Sequence, residues 1–479
     1  MDKFLLSLII IFLLSCYSAS SAFQFYANGA YRIRSFNTWG GGGNDYGPGF
    51  WNFGEKKDHD NDDQYFDQRF DLKFTADNDN DIKGVLWLEM GDARWGDKGG
   101  YGRLGAGDGD AQIEVMNAYI EVNKWIYTKA GVFTFDSPNS AILSEELAGI
   151  LVGKDFEKFA VNLLYSKLYD GGADSRGYDG NDDADLFGIM VPVKTHYFNV
   201  TPYFLYTHIE NKGRLTISPG NYGNLRDAYN GYVYRDLNVD SNISLLGRAF
   251  QDDSFHSNYK DTDAWWVGAT FDGKLPIGNG INWNLHGVYG KANINGKNKN
   301  KDLEMEGYLI DGSVTYMLDK YKFDIYGLYS NGFDEDDYKK QDLNIFPTLA
   351  PDYMAYKTYA PFFFDSLSMG EFACDPSGYS MIGGQVTFNS IERLKHIFDV
   401  AHIWNMIDED VAKIEPDIFR YRYDSFLEVA LVSEYQLSEG TTISLLLGCL
   451  NPDAFRNSNG RKFAEDTVYA ANFLFKYLF

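Results

Sequence analysis

Apolar and polar residues alternate along this chain with a period of two, in segment after segment. Phe66, Phe70, Leu72 and Phe74 alternate with Asp67, Arg69, Asp71 and Lys73. Ile281, Trp283, Leu285 and Tyr289 stand opposite Asn282, Asn284 and His286, and Phe25, Ala27, Gly29, Tyr31 and Ile33 stand opposite Gln24, Asn28, Arg32 and Arg34. Successive side chains of a strand point to opposite faces, so each segment predicts a strand with one apolar and one polar face. A single such strand fits a soluble sandwich. More than a dozen in series fit a membrane barrel, whose strands alternate lipid-facing apolar and lumen-facing polar residues.

The connections alternate as well. Short polar turns such as "ADNDND", "DKY" and "LSEG" take turns with long loops, Gly-rich or acidic near 37–63, 210–262 and 331–379, and also expected at 292–304. Short turns at one end and long loops at the other is the barrel pattern. Counting strands by this parity requires "LAGILVGKDFEKFAVNLLYSK" to be a hairpin turning at "KDFEK". The count is then about 18, with 16 as the alternative, and it is even, as antiparallel closure demands. The fold expected is an all-β transmembrane antiparallel barrel over 23–479. Residues 136–146 become a loop on the long-loop side that folds inward.

The N-terminus agrees. Lys3, an apolar run from Phe4 to Leu14 and the small residues Ser20, Ser21 and Ala22 read as a signal peptide over 1–22. The run is too short to span a bilayer as a helix. Aromatic residues make up 17% of the chain, and the net charge of −25 is unchanged by removal of residues 1–22. That charge argues against nucleic acid as a partner, because phosphates are repelled. Cys374 and Cys449, the two cysteines beyond the signal, are no disulfide framework.

The chain ends "YAANFLFKYLF", with Phe473, Phe475, Tyr477 and Phe479 on one parity. It resembles the terminal strand of outer-membrane barrels, which end on an aromatic read by the insertion machinery. A more specific resemblance lies in "FDQRFDLKFTADNDNDIKGVLWLEMGDARWG", "NAYIEV", "LAGILVG", "DADLFGIMVP" and "TPYFLY". Together these look like the homotrimeric outer-membrane porins of sulfate-reducing and related bacteria, clearly over 64–210 and more weakly beyond. Arg69, Glu89, Asp92, Trp95 and Gly96 are the motif matches. The resemblance implies an integral protein of the cell outer membrane, a trimer of water-filled barrels for passive diffusion of small hydrophilic solutes and ions. Its surroundings would be outer-membrane lipid and lipopolysaccharide. The alternatives are a selective channel with a site built by the long loops, and a plugged structural or adhesion barrel.

Parity puts Arg32, Arg34, Arg69 and Lys73 on the lumen wall, and the inward loop offers Asp136, Glu145 and Glu146. Bases on the wall facing acids on the loop would set a transverse field at a constriction and favour polar, dipolar solutes. Charged rings of this kind set ion preference in channels.

In "DHDNDD", Asp58, Asp60 and Asp62 are spaced like the first ligands of an EF-hand, but Asp63 replaces the sixth-position Gly and Arg69 the twelfth-position Glu. The run reads as solvated loop, with loose divalent-cation binding as the functional alternative; no other cofactor is expected. The seven His are scattered, and no HExxH or GxSxG motif is present, so no enzyme is expected.

Overall fold

A computed structural model describes residues 24–40, 63–78, 81–94, 113–169, 184–210, 259–277, 280–296, 302–340, 342–349, 376–410, 423–454 and 467–479. They form a closed antiparallel barrel. The N-terminal half comprises β1 (Gln24–Gly40), β2 (Asp63–Asp77), β3 (Ile82–Arg94), β4 (Ile113–Asn123), β5 (Tyr127–Asp136), β6 (Ser144–Asp155), β7 (Ala160–Tyr169), β8 (Ala184–Met190), β9 (Val193–Lys194) and β10 (Phe198–Glu210). The rest comprises β11 (Tyr259–Leu275), β12 (Ile281–Gly296), β13 (Leu303–Leu318), β14 (Tyr321–Ser330), β15 (Asp342–Leu343), β16 (Tyr379–Ile391), β17 (Leu394–Asn405), β18 (Tyr423–Ser438), β19 (Thr441–Ala454) and β20 (Val468–Leu478). β8 and β9 pair with β10 one after the other and make one stave, and β15 lies off the ring, so the wall has 18 staves. The hairpin at "KDFEK" is present as β6–β7. Segment 292–304 is no long loop: β12 runs on to Gly296 and β13 starts at Leu303. Polar Lys291 and Asn293 fit the ladder because they stand opposite Glu306 and Glu304, and Lys291 Nζ lies 3.0 Å from Glu304 Oε2 and 3.3 Å from Glu306 Oε2.

Closure joins the two ends of the chain. Tyr31 pairs with Tyr477 and Ala30 with Leu478. The last residue continues the seam: Gly29 N donates to Phe479 O at 2.9 Å and Phe479 N donates to Gly29 O at 3.1 Å. A Cβ at Gly29 would lie 2.3 Å from Asp71 O and 2.7 Å from Phe479 Cζ, so glycine is needed where the terminal ring crosses the strand.

The outside is apolar. Phe187, Ile150, Leu163 and Val267 are each roughly half exposed. Leaving such side chains in water costs about 1.5–3 kcal/mol each relative to burial, so this surface is stable only against lipid. Outward aromatics gather at two levels. Toward the long loops, Phe187 lies 5.3 Å from Tyr165 and 6.4 Å from Tyr206, and Tyr308 lies 5.7 Å from Tyr329. Toward the short turns, Phe198 meets Phe271 at 6.4 Å and Tyr321 meets Phe388 at 5.9 Å. These are the interfacial girdles of a membrane barrel.

The inside is partly filled by two segments that turn in from the long-loop end. The first is the β5–β6 turn, in which Ala141, Ile142 and Leu143 are buried. The second follows β14. It holds the short helix α1 (Glu335–Lys340) and β15, and then Ile345, Phe346 and Leu349, all buried. The two meet where Leu349 N donates to Ile142 O at 2.9 Å. Trp266 of β11, fully buried, donates from Nε1 to Pro347 O at 2.7 Å. The second segment lies so close to β13 that a Cβ at Gly307 would sit 2.5 Å from Phe346 N.

Candidate channel lining

The lumen has two unlike walls. The large buried apolar cluster draws its members from β5 to β20 and the inward segments, and none from β1 to β4. On the β20–β1–β2–β3 side the lumen face carries charge instead.

Pairing fixes that face. Arg32 stands between Lys476 and Arg69, Arg34 opposite Asp67, and Asn28 opposite Lys73. Arg32, Arg34, Arg69 and Lys73 therefore share the lumen side of adjacent strands, as parity places them. Like charges directly opposite one another are destabilising, so a row of Lys476, Arg32 and Arg69 needs compensating acids. Arg69 Nη1 lies 2.9 Å from Glu89 Oε2, and Glu89 is 1% exposed. Arg34 grips Asp67 with two nitrogens, Nε to Oδ1 at 2.9 Å and Nη2 to Oδ2 at 2.6 Å. Such a planar fork fixes the guanidinium in place. Asp71 stands opposite Glu89, and Lys73 Nζ lies 5.6 Å over the Trp87 ring. Asp71 Oδ1 and Trp87 Nε1 bond to no other described residue.

The acids of the first inward segment are arranged differently from the sequence-based expectation. The turn proper covers only residues 137–143, and its described side chains supply no acid. Asp136 ends β5, while Glu145 and Glu146 lie within β6. Neighbouring residues of a strand face opposite ways, so Glu145 and Glu146 leave β6 on opposite faces. Glu145 pairs with buried Phe135 on the lumen face, whereas Asp136 and Glu146 occupy the other parity, where Asp136 accepts a hydrogen bond from Ser144. Glu146 nevertheless lies within electrostatic reach of Arg69, and further acids, Asp67, Asp71 and Glu89, stand on the wall itself.

What holds the inward turn is a polar chain that crosses the lumen. Asn139 Nδ2 donates to Asp311 Oδ1 at 2.7 Å, Asp311 Oδ2 lies 2.8 Å from His286 Nδ1, and His286 Nε2 lies 2.7 Å from Tyr203 Oη. His286 and Asp311 are 0% and 1% exposed. This chain is not legible in the order of residues, because His286 and Asp311 join only through barrel pairing. Nor is Lys476, which sits inside the terminal aromatic pattern. The second inward segment left a faint trace, the apolar "IFPTL" within a long polar stretch.

Asp58, Asp60, Asp62, Trp95, Gly96 and Cys374 lie outside the described residues, as does the side chain of Asp92. Among the described residues no group of three or more His, Cys, Asp or Glu could hold a metal ion. Cys449 is a free thiol on the outward face of β19.

No protein-family model and no curated protein matches the sequence. Solved structures do. Pseudomonas aeruginosa OccK3 (OpdO) has a TM-score of 0.51 at 10% identity, over 95% of this chain and 95% of that one. Acinetobacter baumannii OccAB2 has 0.50 at 11%, over 95% and 98%, and P. aeruginosa OccK1 (OpdK) has 0.50 at 8%, over 95% and 98%. The fold is thus that of the outer-membrane porins, a membrane-spanning barrel. A closed barrel with this apolar outer surface has the architecture of an integral membrane protein.

Proposed function

We propose that the chain forms a water-filled, substrate-selective channel for small hydrophilic solutes in the outer membrane. The observation that carries this reading is the divided lumen: an apolar cluster that runs from β5 round to β20 and takes no member from β1 to β4, and a charged wall on β1, β2 and β3 with Lys476 of β20. Solute passes along the charged wall. There the basic row Lys476–Arg32–Arg69 and the acids Asp67, Asp71 and Glu89 lie side by side and favour solutes with separated charges of their own. Two inward segments narrow the lumen beyond what 18 staves alone would leave, and this favours selectivity over general diffusion. Assembly as a homotrimer, as in the porins of sulfate-reducing bacteria that the sequence resembles, and delivery by barrel-insertion machinery belong to the same reading.

Conductance in a planar bilayer under a salt gradient tests it. Open steps in groups of three, a reversal potential displaced from zero, and saturable current block by one solute class are expected. A silent bilayer, from protein shown to be folded and inserted, overturns it in favour of a plugged structural barrel.

A further inference from the structure

Beneath the plug, at the short-turn end of the lumen, lies a cavity of about 450 Å³. It is walled by the four neighbouring strands β10, β11, β12 and β13 and by the turn before β10. Its size falls within the range of small-molecule sites, about 300–1,000 Å³. Its chemistry differs from that of the charged wall.

The lumen-facing groups here are mostly amides and hydroxyls. Asn284 and Ser313 hold each other, Nδ2 to Oγ at 2.9 Å, with Ser313 N donating back to Asn284 Oδ1 at 3.1 Å. Thr315 Oγ1 donates to Asp324 Oδ1 at 2.5 Å. Asn282, in the same row as Thr315, presents an amide that bonds to no other described residue. Of the residues lining the cavity Asp272 and Lys274 carry opposite charges, and Asp324 behind Thr315 is paired with Lys322, whose Nζ lies 2.8 Å from Asp324 Oδ2. Asp272 is steadied by Asn199, whose Nδ2 donates to Oδ2 at 2.8 Å, and Lys274 Nζ pairs with no described carboxylate. At the mouth the Tyr197 ring is 79% exposed.

We infer that this cavity is a binding site for a neutral polyhydroxylated solute of the sugar class, placed at the periplasmic exit of the channel. A sugar hydroxyl donates and accepts at once, so its site must offer both roles close together. Asp272 only accepts, Lys274 only donates, and the Asn amides and Ser and Thr hydroxyls do both. A cavity without net charge gives an ion no advantage over its neutral counterpart. Pairing of Asn284 with Ser313 and of Asn199 with Asp272 fixes these groups beforehand, which lowers the ordering cost of binding. The exposed Tyr197 ring supplies an apolar face for the C–H side of a pyranose.

The inference rests on the channel reading, and its test separates the two. Glucose and gluconate are titrated calorimetrically into the detergent-solubilised, folded barrel, which needs no open pore. Saturable heat is expected for glucose, with gluconate weaker. D272A/N282A should weaken glucose binding by about tenfold or more, equal to about 1.4 kcal/mol or more. The near-isosteric N282D serves as a second variant, expected to weaken glucose binding less than the pair. No saturable heat from glucose, equal or tighter binding of gluconate, or unchanged binding in D272A/N282A overturns the site. Binding without ion conductance upholds the site and sinks the channel; conductance without binding does the reverse.

Discussion

Asn139, in the turn between β5 and β6, donates to Asp311 of β13 at 2.7 Å across 172 residues of sequence. The turn thus reaches the far wall of the barrel, and the bond ties it to a carboxylate already held by His286 and, through the ring, to Tyr203. Removing the Asn139 amide leaves Asp311 one partner short at a buried site, at a cost of about 1–3 kcal/mol. Asn139→Ala should lower the urea midpoint accordingly. It should also raise single-channel conductance, because the turn loses its tether. Unchanged conductance with a lowered midpoint would show that Ile142–Leu349 packing alone holds the segment.

Arg34 and Asp67 form the most buried of the described ion pairs on the charged wall, with side chains 12% and 4% exposed. Arg34→Ala strands a carboxylate away from water. Breaking a buried pair from one side costs about 3–5 kcal/mol, and the remaining solvent contact of Arg34 puts this case near the low end. The double variant R34L/D67L should recover most of the loss. Both outcomes are read from denaturant midpoints of the folded barrel.

Lys476, Arg32 and Arg69 make one basic row. Replacing Arg32 and Lys476 by Ser leaves Arg69 with Glu89 and strips the row of its excess positive charge. The reversal potential should move toward cation preference. The shift should be larger at 0.1 M than at 1 M salt, since the screening length falls from about 10 Å to about 3 Å. An unchanged potential at low salt would remove the row from the conduction path.

Gly29 lies at the seam where the terminal Phe479 ring crosses β1, and no side chain fits there. Gly29→Leu should sharply reduce the fraction of closed barrel, read as the loss of the heat-modifiable band in electrophoresis. Gly84→Ala is the control, because nothing lies within 4 Å of a Cβ there. Equal assembly of both variants would mean that the seam tolerates a shift of the terminal ring.

Much of the barrel can be read from sequence, and for a definite reason. Period-two alternation is local, and hydrocarbon on one side and water on the other enforce it residue by residue. Hence the lumen parity of Arg32, Arg34, Arg69 and Lys73, the even strand count, the β6–β7 hairpin and the outward aromatics of β20 follow from the order of residues alone. The interior does not follow. Glu145 and Glu146 read as loop acids until pairing with Phe135 and Thr134 makes them strand residues on opposite faces. The Asn139–Asp311–His286–Tyr203 chain, the meeting of Ile142 with Leu349 and the cavity beneath them depend on which staves the closed ring sets face to face. That is a long-range matter of strand number and register, and only the tertiary structure decides it.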